Sequence, residues 1–298
     1  MSWVNTAILS AAILGAVNII DSHLLSKRMP GLQAFLLPVG IIHLVYGIIL
    51  LALFPLPEGT GPLPIVITIV SGILRTGAVT IMLYSLQREE VSLVIPVVYT
   101  YPIFVAIIAA PLLGESLGYL GWLAITIVVA GAVIISARET SFSAATFRSK
   151  PLLLLLGSSL LFALADITSK YALSYISFWN MFSLSACCMS TTFLLLSVRP
   201  RIIRQLYNMK RRNSAMGLLV FNETLAPLGI TLSFWALERG PVSLVSTIVS
   251  SRPMFVVIFA LALSRIMPKF VDWRPGRLPL RLIATAMIVG GISIIHLI

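Results

Sequence analysis

Three cations, Arg75, Lys170 and Arg252, and three anions, Asp21, Asp166 and Glu223, lie within runs of sequence that are otherwise apolar. A charge near the centre of a bilayer costs about 2.5 to 3.5 kcal/mol on the insertion scale, so such groups face a bundle interior or a wet cavity and find partners there. Cations and anions balance, which predicts pairing. Asp166 and Lys170 stand four residues apart, share a helical face and can pair directly. Arg75 and Glu223 lie at similar depth in opposite halves of the chain and can bond across a cavity. Arg252 precedes Pro253 as Tyr101 precedes Pro102. A proline inside a helix frees a carbonyl and bends the axis, so these two kinks would build a site near the midplane. There the Arg252 guanidinium, suited to planar oxyanions, holds either a ligand carboxylate or phosphate or a permanent ion pair with Glu223 or Asp166. The candidate ligand contacts are Arg252, Arg75, Tyr101, Tyr99, Asn18 and Trp179, the aromatic ones by stacking. The candidate coupling or gating groups are Glu223, Asp166 and Lys170, with Glu223 able to titrate as ligand and solvent exchange.

Other chemistry finds no support. His23, His43 and His296 fall on three separate segments without ligand spacing, so no metal site and no cofactor are expected. Cys187 and Cys188 are adjacent and read as small buried hydrophobes. No GxSxG or HExxH motif is present, which argues against an intramembrane enzyme acting on lipids. Asn222-Glu223-Thr224 matches a glycosylation sequon but lies within an apolar run.

The elements that position these residues follow from composition. Of 298 residues, 58% are hydrophobic and 10% charged, where a soluble domain carries about a quarter charged residues. That excludes an ordinary soluble enzyme, a disordered chain and a disulfide-stapled secreted fold. Ten runs are long enough to span a bilayer: 3–25, 31–54, 63–86, 91–113, 118–137, 151–173, 177–198, 214–237, 242–264 and 279–298. They are continuously apolar rather than alternating, so the fold is an all-α polytopic bundle and not a strand barrel. Trp3, Trp122 and Trp273 near span ends read as interfacial belt residues.

The chain repeats itself. A shift of 151 residues lays Leu86, Arg88 and Val91 to Val94 on Leu237, Arg239 and Val242 to Val245, and Pro102, Phe104 and Val105 on Pro253, Phe255 and Val256. A shift of 160 lays Val129 and Gly131 on Val289 and Gly291, and a shift of 148 places Asn18 on Asp166. Two halves of five spans each, 1–140 and 151–298 with a linker at 141–150, must enter the membrane from opposite faces. This is an inverted-topology repeat with a cavity between its halves. Gly121, Ala130 and Gly131 in span 5 and Ala286, Gly290 and Gly291 in span 10 allow close helix contact, either inside each half or as a homodimer face.

At Pro102 to Glu115, through Gly121 and the Ala130-Gly131 pair, the sequence resembles the drug/metabolite transporter superfamily in its EamA-like ten-helix branch, and Arg252 to Phe255 repeats the pattern. The second copy has Ser264-Arg265 where the family often has Gly-Glu. The resemblance implies a secondary transporter, an exporter, that carries a small metabolite such as an amino acid or other carboxylate by alternating access. An exporter of cationic or aromatic drugs is the alternative.

Loop charge gives an orientation. Seventeen Lys and Arg lie in the loops after odd-numbered spans, and Arg239 stands alone on the other side. By the positive-inside rule the basic face is cytoplasmic, in contact with an anionic leaflet rather than nucleic acid, and both termini of this plasma-membrane protein lie outside. Relatives are usually drawn with cytoplasmic termini. A phosphatase fused to the C-terminus should therefore be active outside the cell; an inactive, cytoplasmic fusion would reverse the orientation.

Overall fold

The computed structural model describes residues 2–86, 88, 91–136, 150–209, 211–266 and 278–298. Among them all regular structure is helical. The helices are α1 (Trp3–His23, continued by a π-helical turn Leu24–Arg28), α2 (Leu32–Leu53), α3 (Pro62–Leu86), α4 (Val91–Val98), α5 (Tyr101–Leu113), α6 (Tyr119–Ser136) and α7 (Lys150–Ala172). They continue as α8 (Phe178–Ser197), α9 (Pro200–Tyr207), α10 (Arg212–Arg239), α11 (Val242–Val249), α12 (Arg252–Ile266) and α13 (Leu278–Leu297). The predicted linker, apart from Lys150, and most of the last loop lie outside the described residues.

Two expectations are refined. The fourth and ninth spans are each broken into two helices, at Tyr99-Thr100 and at Ser250-Ser251. The basic loop at 199–213 contains a helix: α9 tucks Ile202 and Leu206 against Ala34, Leu37 and Leu194 while Arg201 and Arg204 point outward. The sequence offers the same stripe, apolar at 202 and 206 and basic between.

Outward faces are apolar. Ile41, Val45 and Ile48 of α2 and Val66, Val70 and Ile73 of α3 recur at helical spacing and are exposed. The inward face of α3 instead carries Thr68, Ser71 and Thr76, all buried. A bilayer makes apolar burial unrewarding, and on this face of α3 small and hydroxyl-bearing residues let backbones come close.

The halves are interleaved. Helix α1 packs on α10, α11 and α12 of the second half, and α7 packs on α3, α4 and α5 of the first. Individual hydrogen bonds obey the same symmetry. Ser10 Oγ donates to the Gly229 carbonyl at 2.7 Å, and its repeat mate Ser158 donates to the Ala78 carbonyl at 2.8 Å. The shifts of 148 and 151 that align these four residues thus hold at atomic level, including for the weakly similar first helix. Between the halves, α6 lies against α13: a β-carbon on Gly131 would come within 2.8 Å of Ile288 and one on Gly291 within 2.5 Å of Val128. Of the small residues expected either for packing inside each half or for a dimer face, Gly131 and Gly291 therefore join one half to the other.

Overpacking such a contact costs about 1 to 3 kcal/mol. Gly291→Val should lower the melting temperature of the detergent-solubilised protein by several degrees, whereas Gly290→Val, which meets no neighbour within 4 Å, should leave it unchanged. Equal melting of the two variants would contradict this account of the α6–α13 seam.

Candidate functional site

The site grows out of the two breaks. Pro102 and Pro253 occupy the second residue of α5 and α12 and bring no N–H, so the carbonyls of Val98 and Val249 lose their helical donors. Side chains replace them. Ser159 Oγ donates to Val98 at 3.3 Å, and Arg252 Nε donates to Val249 at 3.1 Å. One residue earlier the repair is symmetric: Thr100 Oγ1 donates to the Val97 carbonyl at 2.7 Å and its mate Ser251 Oγ to the Ile248 carbonyl at 2.6 Å. The breaks also touch each other, because the Tyr101 hydroxyl donates to the Ser246 carbonyl of α11 at 3.2 Å.

Around this junction the predicted residues pair differently from expectation. Arg75 bonds Asp166, with Nη2 at 2.7 Å from Oδ1, rather than Glu223. The other carboxylate oxygen of Asp166 accepts from Ser246 Oγ at 2.6 Å, and the guanidinium of Arg75 lies 5.2 Å from the centre of the Phe234 ring. Lys170 shares a face with Asp166 but does not pair with it. Its Nζ donates to the carbonyls of Leu237 at 2.7 Å, Glu238 at 3.3 Å and Gly240 at 2.9 Å. The reason is lateral. A planar fork from α3 reaches Asp166 sideways, while Lys170, a turn further along α7, meets the orphan carbonyls at the end of α10, which need donors and attract a cation.

Arg252 makes neither proposed ion pair. Among the described residues its only hydrogen bond uses Nε, its terminal nitrogens meet no carboxylate, and the side chain is half-buried. Asn18 and Tyr99 are brought together, Asn18 Nδ2 donating to the Tyr99 hydroxyl at 2.8 Å beside the first break. Trp179 lies at the start of α8, stacked on Phe54 at 4.8 Å between ring centres and tilted against Phe178. It belongs to the packing of helix ends, not to the junction.

Three features escape the sequence reading. First, Glu115 of the Gly-Glu turn crosses to the second half, where its carboxylate accepts from the N–H of Val242 and from the N–H and hydroxyl of Ser243, at 3.2 and 2.6 Å for the latter two. An anion caps the start of α11 while Lys170 caps the end of α10. The intervening Arg239-Gly240-Pro241 turn is thereby clamped from both sides, with Trp3 filling the space beside Gly240. The signal in the sequence was a lone acid after a glycine at a depth matching Gly240. Second, Ser246 links both breaks to Asp166; a serine-rich stretch at 243–251 marked it. Third, Asn222 Nδ2 donates to Asp21 Oδ1 at 2.7 Å and lies 3.4 Å from Glu223 Oε1, while His43 Nδ1 lies 3.1 Å from the Val39 carbonyl and 3.4 Å from Glu223 Oε2. Nothing in the spacing of His43 pointed there.

The profile of the EamA-like transporter family matches residues 1–137 and 149–296. The chain belongs to that family, a family of two-repeat helical membrane transporters, and is a multi-pass membrane protein. No curated protein matches it. A solved structure titled "Crystal structure of protein" is 20% identical, covers 99% of this chain and 95% of its own, and superposes with a TM-score of 0.69. That likeness concerns the fold.

Loss of a helix cap costs about 1 kcal/mol. In Glu115→Gln the amides of Val242 and Ser243 should exchange with deuterium about fivefold faster than in the wild type, the factor that such a loss implies. Unchanged exchange would mean that the carboxylate does not hold the turn.

Proposed function

We propose that this transporter carries a small metabolite with a carboxylate, an amino acid or a related acid, and does so as a secondary exporter of the plasma membrane. The halves 1–140 and 151–298 rock about the α6–α13 and α2–α8 contacts, exposing the junction of the breaks to one face and then the other. With the basic face in the cytoplasm, the clamped turn at Gly240 lies on the outside.

The observation that carries this reading is Arg252. The other two cations set deep in the spans are engaged: Arg75 by Asp166, Lys170 by three carbonyls. Arg252 is fixed at Nε by the carbonyl that Pro253 leaves open, and its terminal nitrogens keep the fork that suits a carboxylate. Tyr99, Asn18 and Tyr101 at the opposite break supply hydroxyl and amide groups for the polar remainder of the substrate. Their present bonds, Asn18 to Tyr99 and Tyr101 to Ser246, are exchangeable for bonds to a ligand.

A thermal-shift screen of carboxylates on purified protein tests this. At least one carboxylate should raise the melting temperature of the wild type, and Arg252→Ala should bind it about 10- to 100-fold more weakly, the loss of a charge-assisted hydrogen bond. No response to carboxylates, an equal response in the variant, or stabilisation by quaternary amines instead would overturn the assignment.

A further inference from the structure

The group formed by Asp21, Asn222, Glu223 and His43 lies away from the bonds that build the junction. It has four notable properties. Glu223 and His43 are each 4% exposed and Asn222 is fully buried, while Asp21 is half-buried, so only Asp21 of the four keeps an open surface. One amide serves both acids, through Asn222 Nδ2. Two buried polar atoms, Asn222 Oδ1 and His43 Nε2, have no partner. Among the described residues no lysine or arginine reaches either carboxylate.

The surroundings supply no missing cation. Helix α1 brings Asp21 and His23, and the π-helical turn brings Lys27 and Arg28, whose Nε lies 3.3 Å from His23 Nε2. Helix α8 brings Cys187 and Cys188, of which Cys187 lies against Gly47 of α2. Helix α11 carries no ionisable side chain, α12 meets α1 at Gly15 through the Arg252 carbonyl, the Phe255 β-carbon and the Val256 amide, and α9, packed on α2, keeps Arg201 and Arg204 exposed. On α7, Asp166 and Lys170 are engaged as described. Two carboxylates with one amide and one imidazole between them are costly to keep in such a place without a positive charge, which a proton bound within the group would supply. No three His, Cys, Asp or Glu side chains among the described residues converge tightly enough to ligate a metal.

Symmetry sharpens the point. The shifts that superimpose the halves place Asp21 on Ser169, Asn222 on Ser71 and Glu223 on Gly72. The contact itself is duplicated: Ser71 and Ser169 hydroxyls lie 2.7 Å apart, as do Asn222 Nδ2 and Asp21 Oδ1. The scaffold is thus the same on both sides of the pseudo-two-fold axis, but one side bears Asp21 and Glu223 where the other has Ser169 and Gly72, and Asp166 is paired with Arg75. That side is connected to the first break, because Asn18 stands three residues before Asp21 on the same face of α1 and bonds Tyr99.

We propose that Asp21, Asn222, Glu223 and His43 form a proton-binding site on one side of the repeat axis, and that α1 links its occupancy to the substrate site at the breaks. On loading, a hydronium ion at the half-buried Asp21 end gives its proton to a carboxylate, its O–H bond breaking as one forms on the carboxyl and water remaining; on unloading the carboxyl O–H bond breaks and the proton returns to water as hydronium. The unpartnered Asn222 Oδ1 is the acceptor available to a protonated carboxyl. His43, set by the Val39 carbonyl at 3.1 Å, brings its Nδ1 to 3.4 Å from Glu223 Oε2 from α2. The proposal rests on the transporter reading above.

An infrared pH titration of the full-length protein in liposomes, in heavy water without sodium, tests it. The wild type should show a carboxylic-acid C=O band that is lost as pH rises. Glu223→Gln should remove that titrating band, Asp21→Asn and His43→Gln should displace its midpoint by about half a pH unit or more, the effect expected of interacting groups, and Glu115→Gln should leave it unmoved. A wild-type band in Glu223→Gln overturns the proposal, and so does a band that sodium displaces at constant pH, which would make the group a sodium site. If Glu223→Gln does not fold, midpoints unchanged in both Asp21→Asn and His43→Gln overturn it. The titration needs no transported substrate, so its failure leaves the Arg252 assignment standing, and a failed carboxylate screen leaves the titration intact.

Discussion

Backbone carbonyls inside a bilayer have no water to turn to, and this structure is organised around two that proline deprives of their donors. Val98 is repaired by a serine on α7, a neutral donor from a packed neighbour. Val249 is repaired by the arginine that follows the break. The same defect therefore receives a hydroxyl in one half and a cation in the other. Anchoring Arg252 at Nε settles where its terminal nitrogens can go, and it removes the need for an acidic partner to keep the side chain in place.

A duplicated scaffold with unequal charges follows the same logic. The hydrogen bonds that seat α1 on α10 and α7 on α3 are shared by both halves, down to the serine and carbonyl involved. The charges are not. Arg75 with Asp166 on one side becomes Ala226 with Asn18 on the other, and Asp21 with Glu223 becomes Ser169 with Gly72. The sequence differs at the clamp as well, since the second half carries Ser264-Arg265 in place of the Gly-Glu turn that holds Gly240. A pseudo-two-fold frame with unequal polar groups thus offers different chemistry on its two sides while keeping one pattern of backbone packing.

The packing has a matching economy. Cations and anions at helix ends cost little where they meet orphan groups of opposite polarity: Lys170 at the end of α10 and Glu115 at the start of α11 each satisfy backbone atoms that would otherwise lie buried without partners. In the interior, glycines at the α6–α13 seam let backbones approach, so contact between the halves is made by van der Waals packing where apolar burial gives no advantage.

The sequence alone determined the ten spans, their duplication and the position of both breaks. Apolar run length, repeat shifts and proline are properties of the chain taken along one axis, and depth in the membrane is read along that same axis. It also picked out Arg252, Asn18, Tyr99 and Tyr101 at the junction. Tertiary structure alone decided partners. Lys170 and Asp166 share a face of one helix, yet each is claimed by a different neighbour. Arg75 and Glu223 match in depth, yet α3 turns Arg75 toward α7. His43, Ser246 and Glu115 entered the polar groups without any spacing to announce them, and Gly131 and Gly291 proved to join the halves. Helical periodicity fixes which way a side chain leaves its own helix. It does not fix which helix stands there, and a charge chooses among neighbours by differences of a few ångströms that only the packed bundle sets.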